Sequence, residues 1–367
     1  MRVLKDIEEL KDLRASSVSI GNFDGLHLGH QAIIKKLTSL SPNLVVTFDP
    51  HPREILSHQN NVRQTFKFAC RLTTVEEKLA LFEELNVDNL FILKFDQKLA
   101  RMPASQFVHW LLVDHIKPEE VVIGYNHRFG KSAQGDFELL VHMGANFGFR
   151  VTRVPPVFLE QTCPDTPVQT QNVSGEQNGS RNPKLSGIEG FPVSSSWIRT
   201  TLTEGNVELA SRLLGRPYSI SSYVIPGKKR GRALSYPTAN LKLPSDKLIP
   251  KNGVYAVWIT LPNPATRSYP SASISINNRQ KLNSTGRKPV SDDNHHKKLK
   301  GMMCIGEKPT FKEGFGIEVH ILDFKENLLN QQLKIEFVKY LRPNRAFKNP
   351  QALKTQLKID ESTTRKT

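Results

Sequence analysis

Strand-length apolar runs alternate with helix-period segments through the first half of this chain, and no other feature restricts its fold so strongly. Ser17–Ile20, Leu44–Phe48, Asn89–Leu93, Val121–Ile123 and Phe149–Val154 are short β-branched or apolar runs of the length and composition of strands. Between them Gly29–Leu37, Thr74–Leu85, Ser105–His115 and Asp136–Asn146 carry helical periodicity, and Thr74 with Glu77 supplies a capping box for the second. This alternation predicts a parallel sheet with helices on both faces and ligands at the carboxyl ends of its strands. The chain has 367 residues, room for two or three domains at roughly 100–200 residues each.

The second half reads differently. Gln161–Gly190 is rich in Gly, Ser, Asn, Gln and Pro, too polar to bury a core, and is expected to be a flexible loop or insert. A short helix near Val207–Leu214 precedes alternating runs at Ser219–Val224, Val254–Ile259, Ile317–Leu322 and Leu333–Tyr340, and a terminal helix is expected near Gln351–Ile359. Short strands between Gly and Pro turns predict a small β-barrel. A second polar insert, Pro262–Lys300, is expected to interrupt it. The expected domains are residues 1–200 and 201–367.

Composition narrows the class. With 38% hydrophobic and 23% charged residues, the bulk is ordinary globular protein. The first fourteen residues are densely charged and lack a secretory apolar run, and nothing approaches the ~20 apolar residues of a membrane span. Cys70, Cys163 and Cys304 are scattered, which argues against a disulfide framework or a zinc site. A cytoplasmic protein without a membrane partner is expected. The sequons at Asn172, Asn178 and Asn283 are read as chance. The net charge of +16 owes six units to Pro262–Lys300, where eight Lys or Arg face two Asp. That balance raises nucleic-acid binding as a rival reading. The inserts lack the interleaved aromatics of a stacking platform, so no specific nucleic-acid partner is expected.

Gly21–His30, GNFDGLHLGH, joins the first strand to the first helix. Its glycines allow close backbone approach to a ligand, and the helix start offers N–H groups and a positive dipole end to phosphate. His27 and His30 are placed to donate hydrogen bonds to phosphate oxygens. By spacing alone, surface or zinc-binding histidines are about equally admissible, although no third zinc ligand accompanies them. Gly130–Gly135 has P-loop glycine spacing, but Asp136 and Phe137 follow where Lys and Ser or Thr are needed, so it is not a Walker A motif.

The Gly21–His30 segment resembles the H-x-G-H signature of the nucleotidyltransferase superfamily. VVTFDPHP at 45–52, GYNHRFG at 124–130 and VSSSWIR at 193–199 are similar to the adenylyltransferase module of bacterial bifunctional riboflavin kinase/FAD synthetases. LGRPY at 214–218, GRALSYPTANL at 231–241, NGVY at 252–255, IGEKPTF at 305–311 and IEVH at 317–320 resemble, in order, the kinase module of that family. The resemblance implies an α/β plus β architecture: a Rossmann-like parallel-sheet nucleotidyltransferase domain followed by an antiparallel β-barrel riboflavin kinase domain. It implies ATP, riboflavin and FMN as substrates, Mg²⁺ as cofactor, and FAD as final product. The chain is expected to be a monomer or weak homo-oligomer. A monofunctional FMN adenylyltransferase with an inactive barrel is the rival within enzymology.

The resemblance also assigns residues. ATP and its phosphates fall to Gly21, Asn22, Phe23, Asp24, Gly25, Gly29, Ser194, Ser195 and Arg199, with His27 and His30 catalytic; Arg suits phosphate because its fork binds oxygens bidentately. Asn126, Arg128, Arg342 and Phe347 are expected at flavin. In the barrel half, Gly227, Lys228, Gly231 and Arg232 form a basic turn able to fold over polyphosphate. Thr238 and Asn240, two apart on a strand, face one side as magnesium ligands. Glu318 is the implied general base for the ribityl 5′-hydroxyl. Pattern alone does not separate Glu318 from Glu336, which sits similarly in the next strand. The family pattern is departed from at Ser235-Tyr236, where Gly-Phe is usual, at Cys304 for Asn, at Lys308 for Arg, and at Trp197 for a charged residue. A side chain at the glycine position is expected to crowd the nucleotide loop.

Overall fold

The apolar runs become β2 (Ser17–Ile20), β3 (Asn43–Asp49), β4 (Asn89–Lys94), β5 (Glu120–Gly124) and β6 (Arg150–Val154) in the computed structural model. That model describes residues 1–11, 13, 15–57, 71–159, 190–227, 235–242, 244, 246–261, 298–308 and 313–367. With a short β1 (Arg2–Leu4), these strands form one sheet in the order β1-β4-β3-β2-β5-β6, every pairing parallel. Neighbouring side chains on a strand enter opposite cores. Leu44, Val46, Phe91, Val121 and Ile123 join Phe107, Leu111 and Leu140 on one face. Val45, Leu90 and Val122 join Ile34, Leu37 and Phe82 on the other. Helices Leu28–Leu37 and Val75–Glu84 cover this second face, and Phe137–Phe147 with the helical stretch from Ala104 to Ile116 covers the first. Burial on both sides is why these strands read as continuous apolar runs.

Local signals act as their chemistry dictates. The Thr74–Glu77 capping box forms, with Glu77 N–H donating to Thr74 Oγ1 at 3.3 Å and Thr74 N–H to Glu77 Oε2 at 3.0 Å. The stretch expected as one helix over Ser105–His115 is α-helical only over Ala104–Val108 and π-helical over His109–Ile116. Its wider turns pair residues five apart, placing His115 Nδ1 2.6 Å from the Trp110 carbonyl oxygen.

The second half builds β7 (Ser219–Ile225), β8 (Ala239–Leu241), β9 (Gly253–Thr260), β10 (Lys298–Lys308), β11 (Glu313–Ile321) and β12 (Gln332–Arg342). They close into an antiparallel barrel, β10-β11-β8-β7-β12-β9. Tyr255 and Phe337 pack edge to face inside it at 5.1 Å. β10 corrects the expected insert: Lys298, Leu299 and Lys300 already pair with Thr260, Ile259 and Trp258. The lysines that made this segment look like a solvated run serve an outer face, where Lys298 Nζ meets Glu336 Oε2 at 2.6 Å. The terminal helix runs over Pro350–Lys366, capped by Asn349, whose Oδ1 accepts the Ala352 N–H at 2.8 Å. Residues 161–189 and 262–297 of the two expected inserts lie outside the described residues. Contacts divide the chain into two compact units: Met1–Thr200 with Arg212–Gly215 and Asp246–Leu248, and Thr201–Ser211 with Arg216–Ser245 and Ile249–Thr367. Among the described residues, no helix is long and apolar enough to cross a membrane.

Candidate active sites

Past β2 the chain turns through Gly21–His27 with three left-handed residues, Phe23 (φ 48°), Gly25 (φ 85°) and Leu26 (φ 39°). Glycine bears that geometry without steric cost, and a Cβ at Gly25 would also lie 2.9 Å from the Leu72 side chain. His27 caps helix Leu28–Leu37: its Nδ1 accepts the His30 N–H at 3.4 Å. The neutral ring therefore carries its proton on Nε2. The two imidazoles stack with centroids 3.7 Å apart and planes at 18°, and Phe23 packs edge-on to His30 at 5.3 Å.

This loop opens on a cleft of about 990 Å³. The cleft collects Gly21, Asn22, Phe23, Asp24, His27, Gly29 and His30 from the loop, Asn126 and Arg128 from the turn after β5, and Ser194, Ser195 and Arg199 from a far later segment. Gly25 sits behind them against Leu72.

Several of these groups engage protein atoms. Asp24, 3% exposed, accepts hydrogen bonds from Leu72 N–H at 2.9 Å, Thr73 N–H at 3.1 Å, Thr73 Oγ1 at 3.3 Å and Arg199 Nη2. Arg199, 2% exposed, also donates from Nη1 to the Ser195 carbonyl at 3.2 Å. Ser195 Oγ donates to the Asp24 carbonyl at 2.8 Å, and Ser194 Oγ accepts the Trp197 N–H at 3.3 Å. Arg128 pairs with Asp136 at 2.9 Å. Asp24 thus ties the first motif to the last, an anchoring role that the sequence did not show.

Two buried groups had been given no role. His51, just after β3, is 4% exposed; its Nδ1 accepts the Arg53 N–H at 3.1 Å and its Nε2 lies 4.0 Å from Asp24 Oδ2. Burial pushes this imidazole down to about 4 despite the pull of Asp24, so it is neutral near pH 7. Its only sequence signal is its place in VVTFDPHP. Lys78 donates from Nζ to the Asn22 carbonyl at 3.1 Å and to Thr47 Oγ1 at 3.3 Å, and burial holds its ammonium below the usual range. It lies inside an ordinary helical pattern, which conceals it.

In the barrel, register makes the site. Asn240 stands opposite Glu318 across β8 and β11, and Cys304 stands opposite Glu318 across β10 and β11. Directly opposed residues share a sheet face, with Cβ atoms about 4.5–5.5 Å apart. Thr238 precedes β8 by one residue. His320 Nδ1 lies 2.7 Å from the Pro237 carbonyl and ties this approach to β11. A Cβ at Gly227 would overlap the Asn240 amide, so only glycine lets the chain past β7 lie so close. Lys228, Gly231 and Arg232 lie outside the described residues, as does the side chain of Lys308.

Glu336 is set apart from Glu318 by its surroundings: it pairs with Lys298 and with Lys334, the latter at 3.6 Å. Arg342, expected at flavin, grips Asp360 through Nε and Nη2 at 2.8–3.1 Å and lies 5.7 Å from the Phe347 ring. That fork joins β12 to the terminal helix. Ser235 adopts φ 66°, the left-handed geometry that explains glycine as the usual residue there. Tyr236 gains a bond that phenylalanine would lack, donating to Glu361 Oε2 at 2.8 Å. Cys304 Sγ lies 3.5 Å from Asn344 Oδ1. Among the described residues, no three His, Cys, Asp or Glu side chains are grouped to hold a metal ion.

Family models match both halves: that of FAD synthetase over residues 9–164 and that of riboflavin kinase over residues 214–367. The bifunctional riboflavin kinase/FMN adenylyltransferase of Listeria monocytogenes is 32% identical over 356 residues, 95% of this chain and 91% of that protein. Its namesakes from Buchnera aphidicola subsp. Schizaphis graminum and Escherichia coli K12 are each 30% identical, covering 98% and 100% of this chain and 96% and 97% of their own lengths. A crystal structure of a macrolide-efflux protein from Streptococcus pneumoniae shares the fold, with a TM-score of 0.72 at 23% identity over 100% of this chain and 99% of that one. With each half matched by its own model and relatives spanning both, the chain belongs to the bifunctional riboflavin kinase/FMN adenylyltransferase family.

Proposed function

We propose that residues 201–367 phosphorylate riboflavin to FMN and residues 1–200 adenylylate FMN to FAD, each step consuming one ATP. In the barrel, the ribityl 5′-oxygen attacks the γ-phosphorus of ATP, ADP leaves, and Glu318 accepts the hydroxyl proton. The row formed by Asn240 and Glu318 supports this reading. In the cleft, an FMN phosphate oxygen attacks the α-phosphorus of ATP in line. The bond from that phosphorus to the α,β-bridging oxygen breaks and pyrophosphate leaves, so no covalent enzyme intermediate is needed.

The observation that carries the adenylyl-transfer reading is the convergence on one cleft of the Gly21–His27 turn, the stacked His27–His30 pair and a helix start. Nε2–H of His27 and the helix N–H groups stabilise charge on the transferring phosphate, and the cleft holds the reactants in line. Arg199 and Ser195 shape this wall through Asp24, and Ser194 caps the helix that carries them.

Thr238 and Asn240 fit Mg²⁺. Both offer neutral oxygens, neither side chain has a hydrogen bond among the described residues, and Gly227 carries no side chain to collide with the Asn240 amide. A magnesium ion with few protein ligands and several phosphate and water ligands suits such a pair. When bound, it would neutralise charge on the ATP phosphates. The partners are small molecules, and the compartment that fits ATP-dependent chemistry with a free thiol at Cys304 is the cytoplasm.

Product chromatography after incubating the purified chain with ATP, Mg²⁺ and either riboflavin or FMN tests both steps. FMN and FAD are expected from riboflavin; Glu318→Gln should block the first step and His27→Ala/His30→Ala the second. FAD from FMN but nothing from riboflavin would establish the monofunctional enzyme. No flavin product from either substrate would overturn the proposal.

A further inference from the structure

The adenylyl-transfer cleft must hold ATP and FMN, both polyanions, so its wall needs cationic groups with open hydrogen-bonding capacity. Of the arginines and lysines that line it, Arg128 and Arg199 face protein acceptors, while among the described residues Arg53, Arg101 and Lys131 have none. Arg199 engages Asp24 and the Ser195 carbonyl, Arg128 engages Asp136, and the nearby Lys78 engages the Asn22 carbonyl and Thr47. The neutral His51 contributes no charge. Arg53, like Arg101 and Lys131, differs. Its side chain lines the same cleft, and among the described residues it has no ion pair, no side-chain hydrogen bond and no aromatic partner.

We propose that Arg53 is a phosphate-binding residue of this cleft, closing on the anionic end of a bound substrate opposite Arg199. The proposal rests on the adenylyl-transfer reading of the site. Arg53 is held in position by its backbone, whose N–H donates to His51 Nδ1 at 3.1 Å, while His51 Nε2 faces Asp24 at 4.0 Å. That chain of contacts places Arg53 at the same corner of the cleft as the Asp24–Arg199 pair. The charges interact as this placement requires: partial desolvation and the like charge of Arg199 lower the Arg53 pKa, and Asp24 opposes them. A phosphate on the Arg53 guanidinium would relieve both penalties, because it supplies the counter-charge and replaces lost water. Two sources share this chemistry: the β,γ-phosphates of ATP, released as pyrophosphate, and the phosphomonoester of FMN.

Steady-state kinetics on the full chain separates them. Arg53→Ala and Arg53→Lys would be assayed for FMN adenylylation, with KM measured for ATP and FMN in turn and with pyrophosphate as product inhibitor. Riboflavin phosphorylation in the same preparations monitors the integrity of the chain. Losing a charge-assisted phosphate contact is expected to cost about 10–100-fold. A rise of that size for ATP and for the pyrophosphate inhibition constant assigns the ATP end. A rise for FMN alone assigns the FMN phosphate. Arg53→Lys should recover part of either, with phosphorylation unchanged. Unaltered KM values and unaltered pyrophosphate inhibition in Arg53→Ala would overturn the proposal, as would a change confined to kcat. Absence of FAD synthesis by the parent chain would overturn the adenylyl-transfer reading instead. Calorimetric titration of pyrophosphate and of FMN into the parent and Arg53→Ala would then judge Arg53 separately, and equal binding of both anions by both proteins would overturn its role.

Discussion

The cleft and the barrel site are read as handling the same nucleotide by opposite electrostatic means. In the cleft, Asp24, Arg199, His51 and Lys78 are all buried, and the first two form an ion pair between residues far apart in the chain. Charges in such surroundings are costly alone and acceptable when paired and hydrogen-bonded. In the barrel, Asn240, Cys304 and Glu318 are half-buried and aligned by strand pairing, with a glycine where a side chain would intrude. The cleft is therefore vulnerable to changes of charge, and the barrel to changes of shape.

The largest expected effect tests the charged half. Asp24→Asn keeps the volume but leaves Arg199 buried without its counter-charge, at an expected cost of about 3–5 kcal/mol. Chemical denaturation should show the loss, and Asp24→Asn/Arg199→Met should recover much of it. If single and double variants unfold together, the pair is not what stabilises this wall.

A pH series sharpens the same point. His51 has a folded-state value of about 4, below its ordinary 6.5, so the unfolded chain binds more protons between those values. Its contribution is full above about pH 6.5 and is lost as the pH falls toward 4, by up to about 3 kcal/mol. His51→Gln should flatten that part of the stability profile; an unchanged slope would refute a buried neutral imidazole.

The barrel should answer to shape. Gly227→Ala drives a methyl into the Asn240 amide, and overpacking of about 1–3 kcal/mol should lower kcat/KM for ATP in riboflavin phosphorylation by about tenfold. FMN adenylylation should not change, and an equal loss in both activities would break the contrast. The smallest effect is expected at Ser235, whose φ of 66° costs about 1–2 kcal/mol for a residue bearing a Cβ. Ser235→Gly should raise barrel stability by about 1 kcal/mol or less, since glycine also loosens the unfolded chain; thermal melts would register it.

Sequence reading reached the inner strands because burial on both faces leaves uninterrupted apolar runs. It missed β1 and β10, whose edges are charged: Arg2 lies in one and Lys298 and Lys300 in the other. The cleft residues of Gly21–His30 were legible because a turn, a helix start and two histidines are contiguous. The fork of Arg342 on Asp360 was not legible, because a family motif does not reveal which carboxylate lies nearby.

The amino-acid sequence by itself determined the parallel-sheet half, most strands of the barrel half, the Gly21–His30 turn and helix start, and the family. These properties rest on local periodicity, turn chemistry and contiguous motifs, which a linear chain displays directly. Tertiary structure alone decided that Asp24 holds Arg199, that His51 stays neutral and that Glu318 rather than Glu336 stands opposite Asn240. Charge pairing, desolvation and strand register depend on distances between residues remote in sequence, and those distances exist only once the chain has folded.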